Sequence, residues 1–491
     1  MGISQAIPQG SIASGTGISF KNAQLRVQSP LLPQRVAVLA SAKTGVTGFT
    51  DNARVEILSI KDAGDTFGYG SPIHTICRIL FNPQQNVGTI PVDVYPVPAG
   101  ADAVAATGSI AFSGTQTATQ QYVLCIGSEV FTFTLTEGTT ASAAATQVKN
   151  MLDSNVNLLV TTDDIDTGSI PLTANWEGLT SNDIGISLFG ASAGITITIT
   201  DMSGGDIDAN LTGALANFGE VHETIVVNQF YDASNLTKLI NTNETLWQAI
   251  VGQPFYAIYG SFETDPTTVS SETDTAKNDR TNCKFPVPGS TSAPFEIAAS
   301  LAALTAITSN NDPAKPYYGG VVYGIVPGLA QDQWEYAERD YIEKRGCSTS
   351  YLDNGQVKVG DALTTYHPAG VDAPGYRYVV DIAKSQYILN DLRTLFDGDE
   401  WNQKILVGDN DQATNPNARK PSAAKAAILA RVDDWETKAI IVDADYTRKN
   451  TRVEIDPSNN NRLNSVIPTF YSGGARIKST DFLFSTQVGG N

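Results

Sequence analysis

Three stretches decide how this chain is read: Arg35-Val-Ala-Val-Leu-Ala40, Ser71-Pro-Ile-His-Thr-Ile-Cys-Arg-Ile-Leu80 and Thr89-Ile-Pro-Val-Asp-Val-Tyr95. The first and third are short, apolar and rich in β-branched residues, the form of buried strands. Between them, Ser71 stands as an N-cap and Pro72 at the first helical position, where a missing N–H costs nothing. Ile73, Ile76, Cys77 and Leu80 then fall at i, i+3, i+4 and i+7, one face of a helix. With Val55 to Ile60 as a further strand, residues 34–98 read β, β, α, β. The Gly68-Tyr-Gly70 turn before the helix lacks the other glycines and the Lys of a phosphate cradle, so it reads as a turn.

The same alternation returns over residues 216–396. Strands are expected at 223–228, 255–260 and 317–325, and helices at 293–308 and 378–396, the last with Ile382, Leu389, Leu392 and Phe396 on one stripe. Residues 99–215 differ. They are dominated by Thr, Ser, Ala and Gly, with strands expected at 122–126 and 130–135 around a Gly127-Ser-Glu turn, and at 158–162, 170–174, 184–188 and 195–199, plus a helix over 143–151. Residues 101–215 carry a net charge of −11. This segment reads as a mostly β, acidic, separately folded insertion.

Residues 397–475 form a further module. A polar loop leads into a helix over 421–438 with Ala424, Ile428, Val432 and Trp435 inward, followed by strands at 439–442 and 452–455. On the opposite side of that helix the reading places Lys425, Arg431 and Lys438. Residues 1–33 and 476–491 read as arms rather than domains. Each holds a short alternating strand, with Ile18 and Phe20 in one and Ile477, Phe482, Leu483 and Phe484 in the other, and neither has a sheet of its own to join. The fold class is therefore α+β or α/β and multidomain, with an α/β core, an inserted β-rich domain and extended terminal strands.

Length and composition agree. The 491 residues suit about three domains, and 41% apolar with 17% charged residues is too apolar for a disordered chain. The net charge of −19 argues against a free-standing nucleic-acid binder or a protein of anionic membrane surfaces, although residues 401–491 carry +2 against −21 for the rest. The N-terminal residues show no secretory signal, and no apolar run spans a bilayer. The sequons at Asn210, Asn235 and Asn243 then read as chance matches.

Chemistry is sparse. Cys77, Cys125, Cys283 and Cys347 are far apart, which gives neither a zinc ribbon nor a disulfide framework. His222 sits in an apolar strand and reads as a core residue, and His367 before Pro368 reads as surface. No nucleophile elbow, Walker A, zincin or dinucleotide motif is present. Asp206-Ile-Asp-Ala-Asn-Leu-Thr212 alternates oxygens as a calcium loop does. It has Leu211 where the loop needs Gly and Asn217 where it needs Glu, and reads as a solvated acidic loop. No catalytic residue, metal site or cofactor is expected.

Several stretches in order resemble one family. Asp65-Thr-Phe-Gly-Tyr-Gly-Ser71 with its helix, Asn311-Asp-Pro-Ala-Lys-Pro316 after an Ala-rich helix, Glu335-Tyr-Ala-Glu-Arg-Asp340, Arg345-Gly-Cys-Ser-Thr349, Thr364-Thr-Tyr366, Leu392-Arg-Thr-Leu395 and Asn182 to Leu188 resemble the contractile-phage tail sheath proteins of the Mu-like type. The resemblance covers most of residues 34–486. It implies a structural subunit, not an enzyme, that polymerises as a helical sleeve around a tail tube and contracts to drive the tube through the host envelope. It further implies an inner core near the tube, an outward insertion, and terminal arms that add strands to a neighbour's sheet. Implied partners are further copies of the chain, the tail tube protein, and baseplate and tail-terminator or neck proteins, with neither nucleic acid nor membrane insertion. The implied location is the virion tail, assembled in the bacterial cytoplasm. The readings left beside it are the sheath of a tailocin-type injection particle and a β-rich adhesin.

Overall fold

The computed structural model describes residues 32–166, 168–371 and 375–482. At its centre is a six-stranded sheet. In spatial order the strands are Asn282–Pro286, Tyr256–Ser261, Ile225–Asn228, Val36–Ala40, Val92–Pro96 and Val55–Ile57, all parallel except the last. Val36 pairs with Ile225 on one side and Val92 on the other. Val36–Ala40 is buried throughout, which is why it reads as a continuous apolar run. The helix Pro72–Leu80 forms as its sequence dictates: the Ser71 hydroxyl accepts from His74 N, and Ile73, Ile76, Cys77 and Leu80 are buried. Such a cap is worth about 0.5–2 kcal/mol.

The Thr/Ser-rich stretch makes two antiparallel sheets. One orders Ile195–Ser203, Thr107–Gly114, Ser169–Ala174 and Val160–Thr162, with the helix Ala141–Asp153 against it; the other orders Glu129–Leu135, Gln120–Ile126 and Ile186–Phe189. The hairpin turns at Gly127, whose φ of 56° suits glycine. These sheets share one hydrophobic core with the parallel sheet and its helix Pro294–Asn311. Trp176 lies edge-on to Phe295 with ring centroids 5.6 Å apart. At the hairpin turn, Thr291 Oγ1 donates to Gly127 O at 3.0 Å and Ser128 Oγ donates to Glu296 Oε1 at 2.6 Å.

The helix Val379–Asp397 joins two cores. Val379, Val380 and Ile382 belong to the large one, while Tyr387 and Leu395 pack with Ile428, Val432, Trp435, Ile440, Ile441 and Ala444 in a smaller C-terminal cluster. The hairpin of Arg452–Asp456 and Asn459–Val466 lies beyond it.

Some local expectations are corrected. The strand from Val55 stops at Ile57, because Ser59 turns its hydroxyl to Asp62 N and caps a helix over Ile60–Phe67. Residues 317–325 hold only an isolated bridge, Val321 with Lys358; Gly319 and Gly324, at φ of 74° and 84°, break the extended run. His367 is not simply on the surface: its Nδ1 is 2.7 Å from Thr365 O and its Nε2 3.5 Å from Asp274.

Candidate functional site

In doubly wound sheets, ligands bind outside the carboxyl ends of the strands, where the order reverses. Here that place is the end of Val36–Ala40, and the chain fills it with its own residues. Ser41 N donates to Gln229 Oε1 at 2.8 Å, and Gln229 Nε2 donates to Thr180 Oγ1 at 2.8 Å. Thr44 N donates to Asn175 O at 2.8 Å, and Asn175 Nδ2 donates to Gly70 O and Leu158 O. A Cβ built at Gly70 would sit 2.2 Å from Leu158 O, so the Gly68-Tyr-Gly70 turn serves close packing. His74 is buried there, and desolvation, with Arg78 adding to it, pushes its pKa down to about 4. The four cysteines are buried free thiols, and desolvation pushes that of Cys77 above its ordinary range. Asn235 and Asn243, two of the sequon residues, are buried. No cluster of metal-ligating residues occurs among the described residues, and no described helix is long and apolar enough to cross a membrane.

Exposed apolar side chains occur in the body, Leu58 and Ile250 among them, and at the C-terminal end. The helix Pro421–Thr437 buries Ala424, Ile428, Val432 and Trp435, as its spacing predicts. Arg431 does not face solvent, which corrects the expected placement. It is 6% exposed and its Nη1 lies 3.4 Å from Asp391 Oδ1; Trp435 Nε1 donates to the other oxygen of Asp391 at 2.7 Å. The signal was present: Arg431 is at i+7 from Ala424 and four residues before Trp435, on the inward stripe. Lys438 is half-buried and committed within the chain, donating to Tyr387 OH at 2.6 Å and Asp434 Oδ2 at 2.8 Å. Lys425 is half-exposed. The solvent side of this helix presents Ala423, Ala426, Ala430, Asp433 and Glu436 instead of a basic row. Arg448 binds Asp433, Glu436 and Asp445 at its end.

The tail leaves from the same module. Phe470–Tyr471 pairs antiparallel with Ile441–Val442, two residues against two. Lys384 Nζ donates to Ser472 O at 2.6 Å, and Ser385 and Tyr471 share a hydrogen bond of 2.9 Å. Val442, Val466 and Phe470 are exposed nearby, and Ile477 and Phe482 are 87% and 83% exposed. Ile18, Phe20, Leu483 and Phe484 lie outside the described residues.

A curated protein of Haemophilus influenzae, the Mu-like prophage FluMu tail sheath protein, is 24% identical over 462 residues, 91% of this chain and 92% of that one. This chain is similar over nearly its whole length to a Mu-like tail sheath protein. No family model matches it. Its fold is similar to that of a PVC sheath complex, part of an extracellular contractile injection system in its contracted state (10% identity, 97% and 99% of the two chains, TM-score 0.50). A sheath tail protein of Desulfitobacterium hafniense aligns over 93% of this chain and 100% of its own, at 12% identity and a TM-score of 0.49.

Proposed function

We propose that the chain is the repeating subunit of a contractile tail sheath, polymerising as a helical sleeve around a tail tube and shortening to drive the tube through a host envelope. The observation that carries this reading is the full-length similarity to a tail sheath protein, 91% of one chain against 92% of the other. The exposed Ile477 and Phe482 of the tail fit this reading, since a strand added to a neighbour's sheet would cover them.

In this reading, residues 1–33 and 476–491 are the arms that join copies. Residues 99–215 face outward, where a net −11 keeps the particle soluble. Residues 397–475 face the tube, and baseplate and neck proteins bound the sleeve. The particle is a virion tail built in the bacterial cytoplasm. The same architecture also fits an injection particle, a reading favoured by the PVC sheath fold; a DNA-filled head on the purified particle separates the two. Negative-stain microscopy of the purified full chain tests the proposal. Tubes of uniform diameter are expected, and compact particles at every concentration and salt would contradict it.

A further inference from the structure

One charged side chain of the described tail is turned back into the body. The Arg476 guanidinium carbon lies 3.3 Å from the centre of the Tyr378 ring, and its Nε is 2.7 Å from Asp361 Oδ2. Asp361 ends the strand Gln356–Asp361, and its Oδ1 accepts from Ala362 N at 3.0 Å. Desolvation pushes this carboxyl up to about 7. Arg476 pulls it down, Glu343 pushes it up, and the Ala362 N–H and Arg377 pull it down. Arg476 thus supplies a counter-charge to a nearly buried carboxylate, which explains why a tail side chain folds inward. Just before it, the backbone runs close to the body: a Cβ at Gly474 would sit 2.9 Å from Pro316 Cγ. Just after it, Ile477 is 87% exposed.

We propose that Arg476 is the anchor of the C-terminal arm, holding its root on its own subunit so that the strand from Ile477 onward leaves at a set place and direction for a second copy. This rests on the reading of the tail as a link between copies. The physical gain is pre-organisation. A strand held at its root searches a smaller volume than one free from Ser472, so it finds the neighbour's sheet edge at lower protein concentration. Arginine suits the position because one planar group both stacks on a ring and meets a carboxylate, which lysine does not do together.

Limited trypsin digestion of the folded full chain tests the anchor directly. In the wild type, cleavage after Lys478 should precede cleavage after Arg476 by about tenfold, because the Arg476 side chain must first leave its site. Asp361→Asn keeps Arg476 but removes the counter-charge, and should bring the two rates together without changing the melting of the body. Arg476→Lys, which keeps the charge and loses the stack, should give intermediate protection at the same bond. The threshold concentration for tubes should rise on the order of tenfold in Asp361→Asn. Equal cleavage at both bonds in the wild type, or an unchanged ratio in Asp361→Asn, overturns the anchor, as does an unchanged threshold in a variant whose root is released. A wild type that forms no tubes contradicts the sheath reading instead, and the digestion still decides the anchor.

Discussion

The parallel and antiparallel sheets enclose a single large core in which Trp176, Phe295 and Tyr256 lie out of water, whereas the C-terminal module holds a smaller one, with Val466, Phe470, Ile477 and Phe482 exposed around and beyond it. The two regions differ in what completes them. The large core is closed by its own chain: even the crevice at the end of Val36–Ala40 is filled by Asn175, Thr180 and Gln229. The smaller region ends in two-residue strands and a polar tail that carries the exposed Ile477 and Phe482, and in the proposed reading a neighbour covers it. A sleeve that shortens needs both, a body that keeps its shape and ends that hold on to other bodies.

The sharpest way to break this contrast is at the buried ion pair of the C-terminal module. Arg431→Glu places a second carboxylate beside Asp391 under Trp435, and should cost about 3–5 kcal/mol in urea unfolding of that module. A change below about 1 kcal/mol would mean that the helix is not seated as described. In the body, the expected effect is one of pH. Burial pushes Glu223 up to about 8, with Asp93 adding to it, and pushes Glu296 up to about 7. The native state therefore keeps protons that the unfolded chain releases, and stability should rise as pH falls from 8.5 to 6.5, by roughly 2 kcal/mol. Below pH 6.5 the buried neutral His74 works the other way. Melting temperatures across this range check the sign, and Glu223→Gln should flatten the slope. A melting temperature that falls over this interval would contradict the burial of these carboxyls. Smallest of all, Lys425→Glu on the half-exposed helix surface should alter stability by no more than about 0.5 kcal/mol.

The parts legible in the sequence are those set by local rules. Ser71-Pro72, the Gly127-Ser-Glu turn and the stripe of Ile428, Val432 and Trp435 each state their structure within a few residues. Helices Ala233–Leu246 and Pro266–Thr275 carry cap signals, Asp232 and Asp265 with Pro266 after the second, but their weak apolar stripes hid them. The edge strand Asn282–Pro286 was obscured by Lys284, whose ammonium reaches Glu272 at 3.1 Å. Sequence periodicity also gave no sign that the acidic β-rich stretch shares a core with the parallel sheet. That depends on Trp176 meeting Phe295, a contact between distant residues. Arg431 is the instructive case: its charge argued for solvent, its position for the core, and Asp391 decided between them.

In the proposed sheath the folded body is complete without the tail, and the tail joins copies. This is tested most directly by removing the residues after Arg476 and comparing truncated and full-length chains by thermal melting and negative-stain microscopy. The same melting temperature is expected for both, with tubes from the full chain and none from the truncated one. Tubes of normal diameter from the truncated chain would contradict this role of the tail.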